Sequence, residues 1–170
     1  NKDVLALLAE IKKICLAFEV HTNIATAANR ATGLVYQCTQ APGQRIEAYY
    51  KTFKSRCDVQ NHYDDGIDVC FTLVALKLGL PPADLRLKIL EMEEVGWNNS
   101  NMVSSSGVVI TRSEFLAAKV AAIEERKAAL FLDGANQERY GLYKIGLQND
   151  MLQANDGYPK TLIDCYSSIC

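Results

Sequence analysis

The fold is decided in residues 45–58, which read RIEAYYKTFKSRCD. Apolar side chains recur there at intervals of three and four residues, which places them on one face of an α-helix, while charged side chains occupy the flanks. The apolar face consists of Ile46, Tyr49, Phe53 and Cys57. The segment therefore predicts an amphipathic helix, from about residue 44 to residue 62, that buries this face in a hydrophobic core.

Helical periodicity extends along much of the remaining chain. It is found in residues 3–18, 22–38, 67–80 and 111–134, among other segments. No segment shows the convincing alternation of apolar and polar residues that is typical of a half-buried strand. We therefore predict an all-α fold, a helical bundle of about seven helices arranged in one body or in two small lobes.

The composition between the helical segments indicates where two lobes would meet. Residues 1–80 form the predicted N-terminal helical lobe, and residues 111–170 form the C-terminal helical lobe. Residues 81–110 connect them. They contain a further helix that opens at Pro81-Pro82, followed by an Asn- and Ser-rich stretch with the composition of a flexible loop.

Local signals also bear on the helices of the C-terminal lobe. Thr111 and Glu114 have the spacing of a capping box, in which each side chain satisfies a free backbone N–H group at the helix start. Gly134 is expected to end that helix in a left-handed conformation. Gly141 and Gly146 lower the helix propensity of the next segment, so each needs a reason, such as the close approach of a neighbouring backbone.

The charge of the chain bears on its partners. A formal net charge of -2 argues against nucleic-acid binding as its main task, because affinity for phosphates depends on clustered Lys and Arg. The basic residues Lys51, Lys54 and Arg56 lie close in sequence, but Glu47 and Asp58 have helical spacing from the two lysines and are expected to pair with them. The spot is therefore interpreted as a solvated helix face.

Other features of the sequence bear on its cellular location. No apolar run approaches the roughly 20 residues that are needed to span a bilayer. No N-terminal signal core is recognisable either. We expect a protein of the cytoplasm or the nucleus that makes no membrane contact.

Residues that usually carry catalysis or bind metals are scattered along the chain. Six cysteines occur without a CxxC pair or a histidine at zinc-ligand spacing, so they are interpreted as reduced, structural thiols. His21 and His62 do not stand in a motif with a nucleophile, and the glycines do not form a phosphate-binding loop. The sequence therefore predicts no enzyme, no catalytic residue, no metal site and no cofactor.

Two parts of the chain resemble the Gag polyproteins of copia-type LTR retrotransposons. Residues 45–58 resemble an aromatic-rich amphipathic helix of that family. The motifs FLDG at 131–134, RYG at 139–141 and NDGYPKTL at 155–162, with Tyr166 after them, are similar to the closing helices of its capsid region and occur in the same order.

A further resemblance is to the major homology region of retroviral capsids. It is carried by Gln40, Ile46, Tyr49 and Phe53. Ala41 and Gln44 stand where that region has Gly and Glu. The resemblance implies that these four residues belong to the core of a capsid-like helical bundle.

Taken together, the resemblances imply a capsid protein that assembles with copies of itself into an intracellular shell. The shell would enclose retrotransposon RNA, contacted mainly by segments outside this chain. The apolar segment 67–80 and the closing helix are the candidate assembly interface. The residues that we name for it are Phe71, Val74, Leu78, Tyr166 and Ile169. Burial of the same residues in the core is the alternative.

Two other functions compete with the capsid hypothesis. The first is a domesticated capsid-like adaptor that binds partner peptides in a helical groove. A small hydrolase is the second, but the sequence supplies no chemistry for it.

Overall fold

The computed structural model describes residues 24–63, 69–83, 85, 107 and 109–170. Every complete regular element among these residues is a helix, which confirms the all-α prediction. The six helices are α1 (Ile24–Tyr36), α2 (Ile46–Tyr63), α3 (Phe71–Lys77), α4 (Arg112–Gly134), α5 (Gln137–Leu152) and α6 (Leu162–Ile169). None of them is long and apolar enough to cross a membrane. The predicted helix at residues 3–18 lies outside the described residues.

Three helices begin at polar N-cap residues. The Thr111 hydroxyl accepts a hydrogen bond from the Glu114 N–H, and the Glu114 carboxylate accepts one from the Thr111 N–H, so the predicted capping box of α4 is confirmed. The Asn136 side chain caps α5 and the Thr161 hydroxyl caps α6. Each cap satisfies an N–H group that has no partner inside its helix.

Helix α3 is shorter than the helix predicted over residues 67–80. It ends at Lys77, and Gly79 follows with a φ of +65°. The N–H of Leu80 donates to the Ala75 carbonyl at 2.9 Å, and the N–H of Gly79 donates to the Leu76 carbonyl at 3.1 Å. This pair of bonds is a Schellman motif, for which glycine is favoured because it adopts a positive φ without strain.

The larger hydrophobic core joins α1 and α2 to α6, to α5 and to the C-terminal half of α4. Three buried rings form its centre. The Phe131 ring lies 4.7 Å from that of Tyr49 and 5.4 Å from that of Phe53, measured between centroids. Cys57 is buried beside them and Ile46 packs at the edge, so the predicted apolar face of α2 does enter a core.

A smaller core lies at the other end of α4. It contains Val74, Ala75, Leu80, Leu85, Ile110, Ala118 and Ala122. Both cores thus combine residues that precede position 81 with residues that follow position 110. Each core of the described residues therefore draws on both predicted lobes, 1–80 and 111–170, whose division stays a prediction. The physical reason is the length of α4, whose 23 residues contribute to both cores.

Candidate functional site

The connection between α1 and α2 is held against the junction of α4 and α5 by Gln40. This side chain is only 6% exposed. Its Nε2 donates to the Gln44 carbonyl at 2.8 Å, and its Oε1 accepts from the Asn136 N–H at 2.9 Å. The Gln40 backbone N–H donates to the Gly134 carbonyl at 2.8 Å. We call this set of contacts the Gln40 joint.

Tyr49 adds a buried polar contact next to the Gln40 joint. Its hydroxyl lies 3.0 Å from the Phe131 carbonyl and 3.2 Å from the Cys38 carbonyl. A hydroxyl has one proton, so it donates to one of these oxygens at a time. Burial raises the pKa of Tyr49 far above its ordinary value, so the hydroxyl remains a neutral donor. The contact ties α2 both to the end of α1 and to α4.

Gly134 lies next to the Gln40 joint, where close packing leaves no space for a side chain. The sequence did not indicate this requirement. It does not adopt the left-handed conformation that we predicted from its position at the helix end. A Cβ atom on Gly134 would instead lie 2.2 Å from the Cys38 carbonyl oxygen and 2.3 Å from the Tyr49 hydroxyl. The residue is small because another chain segment passes directly over it.

The structure gives a different picture for the glycines of α5. The three nearest atoms to a Cβ on Gly141 belong to the flexible Gln137 side chain rather than to a neighbouring backbone. A Cβ on Gly146 would have no atom within 4 Å. Packing among the described residues therefore gives no reason for a glycine at position 146.

The residues that resemble the homology region lie close together. Gln40, Tyr49 and Phe53 are buried, and Ile46 packs against the same core. Gln44, at the position where the family has Glu, accepts a hydrogen bond from the Ala41 N–H at 3.0 Å. The polar and the apolar residues of the pattern thus lie together where the connection between α1 and α2 meets α4 and the start of α5.

The five candidate interface residues divide into two groups. Val74 is fully buried in the smaller core and Ile169 is 8% exposed in the larger one, so neither is available to a second copy. For these two residues the structure favours the alternative, burial in a core. Leu78 and Tyr166 pack at the edges of the cores, whereas Phe71 is exposed. The sequence could not separate the groups, because which side of an apolar helix meets α4 depends on tertiary packing.

An ion-pair network that was not evident from the sequence connects three parts of the fold. Glu125 of α4 pairs with Lys77 of α3 at 2.6 Å and with Lys160 at 3.1 Å, and Lys160 also pairs with Asp156. Burial raises the pKa of Glu125, but hydrogen bonds from the two lysines outweigh this effect, so its pKa is lowered overall. Its partners lie 48 and 35 positions away, so no local pattern could indicate them.

Replacement of Glu125 with Gln is expected to lower the free energy of unfolding by about 1–3 kcal/mol at pH 7, because two lysines lose their charged acceptor. The lowered pKa means that the carboxylate stabilises the fold above its ordinary pKa of 4.5 and loses this contribution as pH falls through its folded-state value. Urea unfolding should therefore give a difference in the free energy of unfolding between the natural chain and Glu125→Gln that is smaller at acid pH than at pH 7. Glu47→Gln is the control, since its pair with Lys51 is largely solvent-exposed.

Replacement of Gln40 with Ala is expected to cost about 1–3 kcal/mol, because the Asn136 N–H loses its partner in a part-buried place and the Gln44 carbonyl keeps only the bond from Arg139. Chemical denaturation measures this difference. The matched control is Gln148→Ala at an exposed position of α5, where a change within about 0.5 kcal/mol is expected. Equal effects of the two substitutions would contradict the role of the Gln40 joint.

Two cysteines are buried in the core, and two basic residues of α2 already have partners within the chain. Cys57 and Cys165 are buried, and burial raises their pKa to about 11 and about 12, so both remain thiols at neutral pH. Lys51 pairs with Glu47 at 2.7 Å as predicted, and Arg56 donates to the Leu34 carbonyl at 2.8 Å. In the described parts of the chain, no group of three or more His, Cys, Asp or Glu residues could hold a metal ion.

An open groove of about 570 Å³ lies beside the smaller core. Its lining combines the end of α3, Val109 and Ile110 with the alanines Ala117, Ala118 and Ala121 of α4. Lys77 and Glu114 contribute the polar groups at its edge. Its shape and apolar lining would suit an extended or helical peptide segment better than a polar metabolite.

Comparison with models of known protein families, with curated proteins and with solved structures finds no match to this chain.

Proposed function

We propose that this chain is a structural capsid protein, which assembles with copies of itself into an intracellular virus-like shell around retrotransposon RNA. The observation that carries the proposal is the convergence of Gln40, Tyr49 and Phe53 on one buried joint. These are the residues on which the resemblance to the homology region depends. A subunit that is locked at this joint is suited to a shell, because many weak contacts reinforce one another only between rigid copies.

The charge distribution supports an RNA that is enclosed rather than gripped by these residues. The chain has a formal net charge of -2. Lys51 is already paired with Glu47, and Arg56 already donates to a backbone carbonyl. Contact with the genome would therefore fall to segments outside this chain.

The proposal is tested by measuring the size of the purified protein. Light scattering coupled to size-exclusion chromatography, over a range of concentration and salt, should give masses well above the 18.8 kDa of one chain. Electron microscopy of the same samples should show particles. A chain that stays monomeric at high concentration in every salt, with no particles, would refute shell assembly.

The RNA prediction is tested separately with the double variant Lys51→Glu, Lys54→Glu. Both side chains are exposed on α2, so folding and particle yield should be unchanged. The RNA content of purified particles, measured by absorbance and by extraction, should also be unchanged. A marked drop in RNA content would show that this helix face does contact the genome.

The groove beside the smaller core favours one alternative, a capsid-like adaptor that binds partner peptides. Such a protein would be a stable monomer that binds a hydrophobic helical peptide, as measured by fluorescence anisotropy. Ala117→Trp, at an exposed position of the groove lining, should block the groove and abolish that binding. A chain that forms particles and does not bind such peptides would exclude the adaptor.

A further inference from the structure

Helix α5 presents an apolar surface to solvent on the side opposite the core. Leu142 is 85% exposed, Leu152 is 86% exposed, and Ile145 between them is 48% exposed. Their spacing of three and seven residues places them along one face of the helix. Buried Leu147 lies on the other side. Asn149 lies between Ile145 and Leu152 on the same face, but three large apolar side chains exposed on one side of a helix indicate a surface that is covered by another molecule.

Gly146 lies on this apolar face. A glycine in the middle of an exposed helix lowers its stability by roughly 1 kcal/mol relative to alanine. Among the residues that the structure describes, no atom lies within 4 Å of the place that its Cβ would occupy, so their packing does not require a glycine there. Gly146 lies one turn after Leu142, at the edge of the apolar face, and a glycine at this position does allow a second helix to approach closely.

The charges beside the face indicate which molecule covers it. Arg139 and Asp150 are separated by eleven residues, or about three helical turns, so they lie on the same flank near opposite ends of α5. When two copies of a helix pack antiparallel, equal flanks face each other. Arg139 of each copy then lies close to Asp150 of the other, with an axial offset of about 4–5 Å if the pair is centred on Gly146.

Both charged groups have the capacity for such a contact. One nitrogen of the Arg139 guanidinium donates to the Gln44 carbonyl at 3.2 Å, which leaves other donors of its five N–H groups. Within the described residues the Asp150 carboxylate forms no ion pair. A second copy of the same helix would supply a complementary charge to each of them.

We propose that the outer face of α5 is a two-fold interface at which two copies of this chain pack antiparallel, centred on Gly146. Leu142 of each copy then contacts Leu152 of the other, and Ile145 lies near the axis. This inference rests on the proposed self-assembly and identifies the surface through which it begins. A two-fold interface uses the same surface of both copies, so each contact between two different residues occurs twice.

The first test uses the variant Leu142→Glu, Leu152→Glu in the full chain. Sedimentation equilibrium should show self-association weakened on the order of a hundredfold or more, because four carboxylates would be placed in an apolar contact. The matched control is Leu76→Glu on α3, which is 67% exposed and lies on another surface. It should associate like the natural chain, and both variants should keep the natural melting temperature at low concentration.

Two results of this test would overturn the inference. One is unchanged association of the double variant while the natural chain assembles, which would leave the capsid proposal intact and place the contact elsewhere. The other is a lower melting temperature with unchanged mass, which would mean that another segment of the same chain covers α5. A natural chain that never associates would refute the capsid proposal itself.

The second test addresses the antiparallel arrangement. Arg139→Glu alone and Asp150→Arg alone should each weaken association several-fold, because each places like charges together twice in the pair. The double variant Arg139→Glu, Asp150→Arg should recover it. Absence of recovery, with both single variants weakened, would overturn the antiparallel arrangement.

Discussion

Replacement of Gly134 with alanine is expected to lower the free energy of unfolding by about 3 kcal/mol or more. The added methyl group would lie 2.2 Å from the Cys38 carbonyl oxygen and 2.3 Å from the Tyr49 hydroxyl. The first of these atoms belongs to the backbone two residues before Gln40, whose N–H donates to the Gly134 carbonyl. The second is a buried hydroxyl that would lose its hydrogen bonds to the Cys38 and Phe131 carbonyls if it moved aside. The midpoint and slope of urea unfolding measure the change.

Gly146→Ala is the matched control for this prediction. It makes the same chemical change in the adjacent helix, but the new methyl group would have no atom within 4 Å in the part of the chain that the structure describes. Helix propensity alone then predicts a gain of up to about 1 kcal/mol, when the measurement is made on the dilute monomer. Equal effects at the two positions would show that Gly134 is not held under another segment.

The origin of the Gly134 effect can also be divided between its two contacts. In the Gly134→Ala background, Tyr49→Phe removes the hydroxyl but leaves the Cys38 carbonyl in place. It should recover only part of the lost stability. Full recovery would mean that the backbone approach contributes little.

Replacement of Phe53 with alanine is expected to cost about 3–5 kcal/mol, since a fully buried ring would leave a cavity. The ring contacts both other aromatic residues at the centre of the larger core, with centroids 6.4 Å from Tyr49 and 5.4 Å from Phe131. For a chain of this size the melting temperature should fall by roughly 10 °C. Loss of folding should precede any loss of assembly.

The control for Phe53 lies one and a half turns along the same helix. Val59 is 45% exposed, so Val59→Ala should change the free energy of unfolding by no more than about 0.5 kcal/mol. Calorimetry on the two variants and the natural chain gives the comparison. An unchanged melting temperature for Phe53→Ala would contradict its place in the core.

The sequence predicted α2 well because a single pattern determines both its conformation and its buried face. The spacing of Tyr49, Phe53 and Cys57 indicated which side is buried, and all three are buried. The same pattern was insufficient for α3, where apolar residues occur on nearly every side. Val74 is buried there and Leu76 is 67% exposed, although the local sequence pattern does not distinguish these two apolar residues.

For the candidate site, the resemblance identified the side chains of the Gln40 joint but not their partners. Gln40 accepts its hydrogen bond from Asn136, which lies 96 positions later in the chain. The ion pairs of Glu125 likewise join residues that are distant in sequence. No short-range signal specifies such pairs, because they form only when separate helices pack together.

The sequence by itself determined the helical class, the start of α4 at its capping box and the apolar face of α2, since these depend on residues within a few turns of one another. Tertiary structure alone decided that α4 serves two cores, that Gly134 lies beneath Cys38 and that the outer face of α5 stays exposed. The physical reason is that periodicity shows which side chains are apolar, whereas the neighbour of each apolar side chain depends on how distant helices pack.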